Sequence, residues 1–204
     1  MSMKMNPSVF REYDIRGIAD SDLSVEFANL LGRAYAKHIQ SVFPSRSISV
    51  SVGRDCRLTG EKYAKALTQG LLDSGINVVM LGVCPTPLTY FSVFHLNLDG
   101  AIMVTGSHNP AEYNGFKICV GKSTIHGEEI QTLKKIMETN PIGLASKKGA
   151  LREHPIIPDY INYVSAQIKP KRALKVVLDA GNGTAGSVAP ILFERLGAKV
   201  IPLY

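Results

Sequence analysis

Short apolar runs alternate with segments of helical periodicity along most of this 204-residue chain, and few folds accommodate that alternation. A helix is predicted where Phe27, Leu30, Leu31, Ala34 and Tyr35 share one face, with Ser24 as its N-cap. A strand over 47–52 ends in Gly53-Arg54-Asp55. The next helix, 61–73, carries Ala64, Leu67, Leu71 and Leu72 as its apolar stripe, and Gly75 closes it. Strand 76–81 follows. Pro85-Thr86-Pro87 then breaks the chain before a helix over 88–94, and strand 101–104 comes after it. Asn114-Gly115 between Tyr113 and Phe116 predicts a tight turn, so strand 116–120 would run antiparallel to its neighbour. A helix over 128–138 completes the unit. The expected fold class is α/β: a mixed, mostly parallel sheet flanked by helices on both faces.

The composition changes near residue 140. From there to 158 the chain is rich in Pro, Gly, Ser and Lys, which reads as a linker. Helix 159–168 is then followed by strand 174–178, helix 188–196 and strand 199–203, a single βαβ unit too small to bury both faces of its own sheet. The expected organisation is a domain over 1–140, a linker over 141–158, and the start of an incomplete second α/β domain over 159–204.

The 23 basic and 17 acidic residues leave a net charge of +6, which favours anionic partners without choosing among them. Lys134-Lys135, Lys147-Lys148 and the basic residues of 169–172 are scattered pairs without interleaved aromatics. A phosphorylated small molecule is therefore expected rather than nucleic acid. No apolar run approaches the roughly 18 residues of a membrane span, and residues 1–7 lack a secretory signal's apolar stretch, so a cytoplasmic protein is expected. Cys56, Cys84 and Cys119 form no CxxC pair, which supports neither a disulfide framework nor a zinc site.

The chemistry gathers in Thr105-Gly106-Ser107-His108-Asn109-Pro110, directly after strand 101–104. The strand delivers a serine hydroxyl to its carboxyl end, where open α/β sheets bind ligands. Gly106 permits a sharp turn, and Pro110 stops the loop from continuing as strand or helix. A serine presented beside an imidazole and an amide is suited to carrying a phosphate covalently.

Three further strings accompany it: the octapeptide from Phe10 to Gly17 (FREYDIRG), Val52-Gly53-Arg54-Asp55, and Tyr113-Asn114-Gly115-Phe116-Lys117. With the serine loop and Leu178-Asp179-Ala180-Gly181-Asn182-Gly183, in this order and at these separations, the chain resembles the α-D-phosphohexomutase family. Within that family it is most similar to the phosphomannomutase/phosphoglucomutase branch. The resemblance covers essentially the whole chain.

The resemblance implies that Ser107 bears the catalytic phosphate and, through it, an oxygen ligand of an essential Mg²⁺. His108 and Asn109 match its loop neighbours. Lys117 matches a lysine near the transferring phosphate, and Tyr13 and Arg16 match residues lining the same cleft. Arg54 and Asp55 match a supporting turn, with Cys56 where a small residue such as glycine is usual. The implied reaction interconverts hexose 1- and 6-phosphates, of mannose or glucose, through a hexose 1,6-bisphosphate. A phosphoserine carries close to two negative charges, and its transfer depends on positioning and on cations such as Arg16 and Lys117. Lys117 could also serve as general base on the attacking hydroxyl.

The family's Asp-Gly-Asp-Gly-Asp metal loop does not occur here, and Asp20-Ser21-Asp22 reads as a solvated turn. The resemblance therefore implies the N-terminal portion of a longer four-domain enzyme, with negligible mutase activity by itself and with the remaining domains as partners. One alternative rests on residues 181–186, which match GxGxxG between a strand and a helix, the setting of a nucleotide-dependent oxidoreductase. The acid expected about 20 residues later is not found in Val200-Ile201-Pro202-Leu203-Tyr204, so a packing turn is the better reading. A serine hydrolase is disfavoured, because G-x-S-x-G spacing is missing around Ser107.

Overall fold

The computed structural model describes residues 5–139 and 142–204. Its main sheet is built around β2 (Ser49–Arg54), which pairs in parallel with β3 (Asn77–Val83) on one side and β4 (Gly100–Val104) on the other. Beyond β4 runs the antiparallel β5 (Tyr113–Val120), whose outer edge takes β1 (Ile15–Ile18) at one end and β6 (Ser123–Thr124) at the other. On the far edge β7 (Leu151–Glu153) pairs in parallel with β3, giving the order β1-β5-β4-β2-β3-β7.

Strand periodicity sorts the side chains onto two faces. Val50, Val52, Ile102, Val104, Phe116 and Ile118 point into the larger core, against α1 (Val25–Val42), α2 (Gly60–Asp73) and α4 (Glu128–Glu138). The helices supply Phe27, Leu31, Tyr35, Tyr63, Leu67 and Leu133, all fully or almost fully buried. Ser24 caps α1 as expected, its hydroxyl accepting from the Phe27 amide at 3.1 Å. The opposite face is covered by α3 (Thr86–His95), where the hydroxyls of Ser51 and Ser92 meet at 2.7 Å. Helix α5 (Ile157–Gln167) leans on α3 through the ring of Phe91, 5.4 Å from Tyr160 and 5.2 Å from Tyr163.

The chain leaves β2 through α2 to reach β3, then returns through α3 to β4 on the other side of β2. The connections after β2 and β4 thus part at the carboxyl ends of two neighbouring strands and leave a crevice between them. A separate pair, β8 (Lys175–Leu178) and β9 (Lys199–Pro202), is parallel and joined through α6 (Ala189–Arg195). Among the described residues no helix is long and apolar enough to cross a membrane.

Two expectations need correction. Asn114-Gly115 is not a turn: β5 runs straight through both, and the reversal lies earlier, where Tyr113 donates to the Pro110 carbonyl at 3.0 Å. Asn114 is fully buried and its amide donates to the Thr59 hydroxyl at 2.9 Å. Gly115 is needed for close approach, since a Cβ there would overlap the carbonyl oxygen of Ile15 on β1. The segment expected as a linker also contains β7, and it is tied to α2 by Ala145 and Gly149 amides bonding to the Asp73 and Leu72 carbonyls. The side chains of β7 are exposed, so backbone pairing rather than an apolar pattern makes this strand. Asn140 and Pro141, where the linker is expected to begin, lie outside the described residues.

Gly115→Ala should pry β1 from β5 and cost about 2 kcal/mol or more, read as a lowered midpoint in urea denaturation. An unchanged midpoint would mean that β1 is not packed as described.

Candidate active site

The crevice holds an open cleft of about 650 Å³, lined by the serine loop, the turn after β2, the start of α3, Lys117 of β5, and Gly183 with Thr184. That volume suits a small polar ligand. Its floor is a chain of side-chain contacts. Thr105 donates its hydroxyl to Asp55 at 2.7 Å and accepts from the Ser107 amide at 2.9 Å. The other Asp55 oxygen accepts from the Arg57 amide at 3.0 Å. Asp55 is thus spent on holding two loops together, the supporting role expected of it.

Ser107 follows β4 with φ at +54°, in the left-handed region that a serine seldom occupies. Its hydroxyl lies 3.1 Å from Nδ1 of the exposed His108. Asn109 turns its side-chain oxygen toward Arg16, which donates to it and, through its other terminal nitrogen, to Asp14. Lys117 reaches the same Asp14 oxygen at 3.0 Å. Two cations therefore share one carboxylate, and all three groups are at least three-quarters buried.

Four of the expected residues, Ser107, His108, Asn109 and Lys117, line the cleft, and Arg16 borders it through Asn109. Tyr13 does not join them. The chain reverses over Phe10–Ile15, with the Arg11 amide bonded to the Asp14 carbonyl at 3.0 Å, so Asp14 turns inward and Tyr13 outward. The Tyr13 ring is exposed and stands 6.5 Å from that of His126. Cys56 is exposed on the cleft wall.

Sequence reasoning missed Asp14 as the link between the cations, Arg57 as the main contact of the serine loop, and Tyr90 in the wall. Burial pushes the Tyr90 phenol up to about 12, so it faces the cleft as a neutral donor. No strand alternation marked the first two: Asp14 lies in the bend before β1, and Cys56, between Asp55 and Arg57, is itself a bend after β2.

Among the described residues no group of three or more His, Cys, Asp or Glu side chains is arranged to hold a metal ion. Asp55 is already bonded to Thr105 and Arg57. The donors present here do not make a Mg²⁺ site by themselves. The glycine-rich turn at 181–186 passes into a 3₁₀ turn, Thr184–Ser187, before α6, rather than directly into a helix as a dinucleotide site requires.

Residues 7–141 match the family described as phosphoglucomutase/phosphomannomutase, alpha/beta/alpha domain I. The chain is 44% identical over 197 residues to a phosphomannomutase/phosphoglucomutase of Pseudomonas aeruginosa, an overlap of 97% of this chain and 42% of that protein. It is 39% identical over 196 residues to a phosphoglucomutase of Neisseria meningitidis serogroup B, covering 96% of this chain and 42% of that one. A solved phosphoglucomutase/phosphomannomutase family structure from Burkholderia thailandensis superposes with a TM-score of 0.90 at 35% identity, over 98% of this chain and 44% of its own. The chain therefore spans less than half the length of these relatives. With its strand order, its cleft at the β2–β4 crevice and a family match over most of its length, this chain belongs to the phosphoglucomutase/phosphomannomutase family.

Proposed function

We propose that this chain is the phosphate-carrying N-terminal portion of a hexose-phosphate mutase that interconverts the 1- and 6-phosphates of mannose or glucose. The observation that supports it best is the presentation of Ser107: a hydroxyl at a strand's carboxyl end, in a strained and buttressed loop, facing a cleft with two partly buried cations at its side.

In this reading Ser107 carries a phosphoryl group. The bond from the Ser107 oxygen to phosphorus breaks as phosphorus bonds to the free hydroxyl of a hexose monophosphate, whose proton passes to solvent. The resulting 1,6-bisphosphate turns over and returns its other phosphate to the serine, whose proton goes back to His108 while the freed sugar oxygen takes one from solvent. Charge in such a transfer spreads over the equatorial oxygens, so fixed cations lower the barrier. Lys117 and Arg16, held at one Asp14 oxygen, are those cations. His108, whose Nδ1 is 3.1 Å from the serine oxygen, can return a proton to it as the phosphate leaves. Asn109 orients Arg16. Lys117 already donates to a carboxylate, an arrangement that suits a positive charge better than a base. Tyr13, turned away from the cleft, is given no part in the transfer. Mg²⁺ bound to the phosphoserine would be completed by ligands from the remaining domains. A cytoplasmic setting agrees with three cysteines that are all free thiols among the described residues.

The family match ends at residue 141, and β8 and β9 form a sheet of their own. Both support a division between a first domain and the start of a second. The oxidoreductase alternative gains no support from the Pseudomonas and Neisseria relatives, each a mutase by name.

The test uses the full-length protein in a coupled assay of hexose 1-phosphate conversion. Ser107→Ala should lower turnover by about 10³-fold or more, and a retained rate would reject the proposal. Asp14→Asn should lower turnover by about 10- to 100-fold, because two repelling cations lose their common anchor. Normal turnover in that variant would mean that the pair is not used in the transfer.

A further inference from the structure

Arg57 lies in the wall of the cleft, where a cation invites reading as a phosphate ligand. Its bonding says otherwise. One terminal nitrogen donates to the carbonyls of Pro110 at 2.6 Å and Tyr113 at 2.9 Å, and the other to those of Asn109 at 2.6 Å and Ser107 at 3.1 Å. Nε faces Asp55 at 3.3 Å. Of the five N–H donors of a guanidinium, the four terminal ones are each bonded to a carbonyl, and Nε is held against the Asp55 carboxylate. The side chain is 13% exposed. No donor is left for a substrate.

Those four carbonyls span the whole return from β4 to β5. The carbonyl of Ser107 is among them, and Ser107 is the residue with positive φ. Gly106 lies flat against the same guanidinium, and a Cβ there would overlap it. The loop therefore wraps a fixed planar fork, which sets both its path and the direction of the serine hydroxyl.

We propose that Arg57 is a positioning residue that holds Ser107 in its left-handed conformation, and that it does not bind phosphate. This rests on the reading of Ser107 as the phosphate carrier. Lysine cannot substitute, because three donors on one flexible nitrogen do not reproduce a planar fork. Gly106→Ala should act like loss of Arg57, since it displaces the guanidinium from the other side.

The experiment compares full-length wild type, Arg57→Lys and Gly106→Ala by steady-state kinetics and by hydrogen exchange resolved to peptides. In both variants kcat should fall about 30-fold or more while KM for the hexose phosphate changes less than about threefold. Amide exchange should quicken at least about tenfold within 105–113, where the Ser107, Asn109 and Tyr113 amides are bonded, and stay unchanged in α1, α2, β2 and β3. A raised KM with kcat preserved would overturn the proposal in favour of a phosphate ligand. Unchanged kinetics and exchange would overturn it as well, and so would faster exchange throughout the sheet, which marks a general fold residue. Should wild type convert no hexose phosphate, the mutase reading fails. The exchange in 105–113 then still decides whether Arg57 fixes the loop.

Discussion

Ser107 holds a backbone conformation that serine does not keep unaided, and a buried ion pair supplies the restraint. A non-glycine residue in the left-handed region costs of order 1–3 kcal/mol. A hydrogen bond to a charged group returns about 1.5–3 kcal/mol, and Arg57 makes four of them to carbonyls of this loop. Asp55 matters because it lets that guanidinium be buried: without an adjacent anion, a cation only 13% exposed would be costly. The same carboxylate takes the Thr105 hydroxyl, so the turns after β2 and β4 are fastened at one point.

That fastening falls where the sheet divides. Parallel pairing of β2 with both β3 and β4 sends consecutive connections to opposite sides and leaves room between them at the carboxyl ends. The antiparallel β5 then brings Lys117 alongside Met103 of β4, so a cation enters the cleft from the neighbouring strand. Strand β1, one further out, places Arg16 opposite Gly115. Three adjacent strands thus contribute serine, lysine and arginine to one side of the site, and Asp14 keeps the two cations from driving each other apart.

Much of this was legible from residue patterns. The helices α1 and α2 announced themselves by apolar periodicity, and β2, β3 and β4 by short apolar runs, because each buries one face or both in a well-formed core. The serine loop was legible from its glycine, its proline and its place after a strand. What escaped has physical reasons. β1 has only four residues, and one of them is a glycine; β7 has three, all exposed. Pairing alone defines β7, and the alternation in β1, which buries Ile15 and Gly17, is too short to be read from the sequence. Asn114-Gly115 carries the composition of a turn, yet it serves a buried amide bond and a close strand approach, needs that local propensity does not distinguish. Tyr13 followed its motif into the cleft on paper, whereas the reversal over Phe10–Ile15 faces it away. Arg57 could not be told from a surface arginine until the loop it holds was seen to wrap around it.

The most direct measurement is to expose the full-length protein to glucose 1,6-bisphosphate with Mg²⁺, quench it, and locate any covalent phosphate by tandem mass spectrometry. The account predicts one added phosphate, carried on the peptide that spans the turn after β4 and fragmenting to Ser107. Phosphate on any other side chain, or none while the protein still interconverts hexose phosphates, would contradict it.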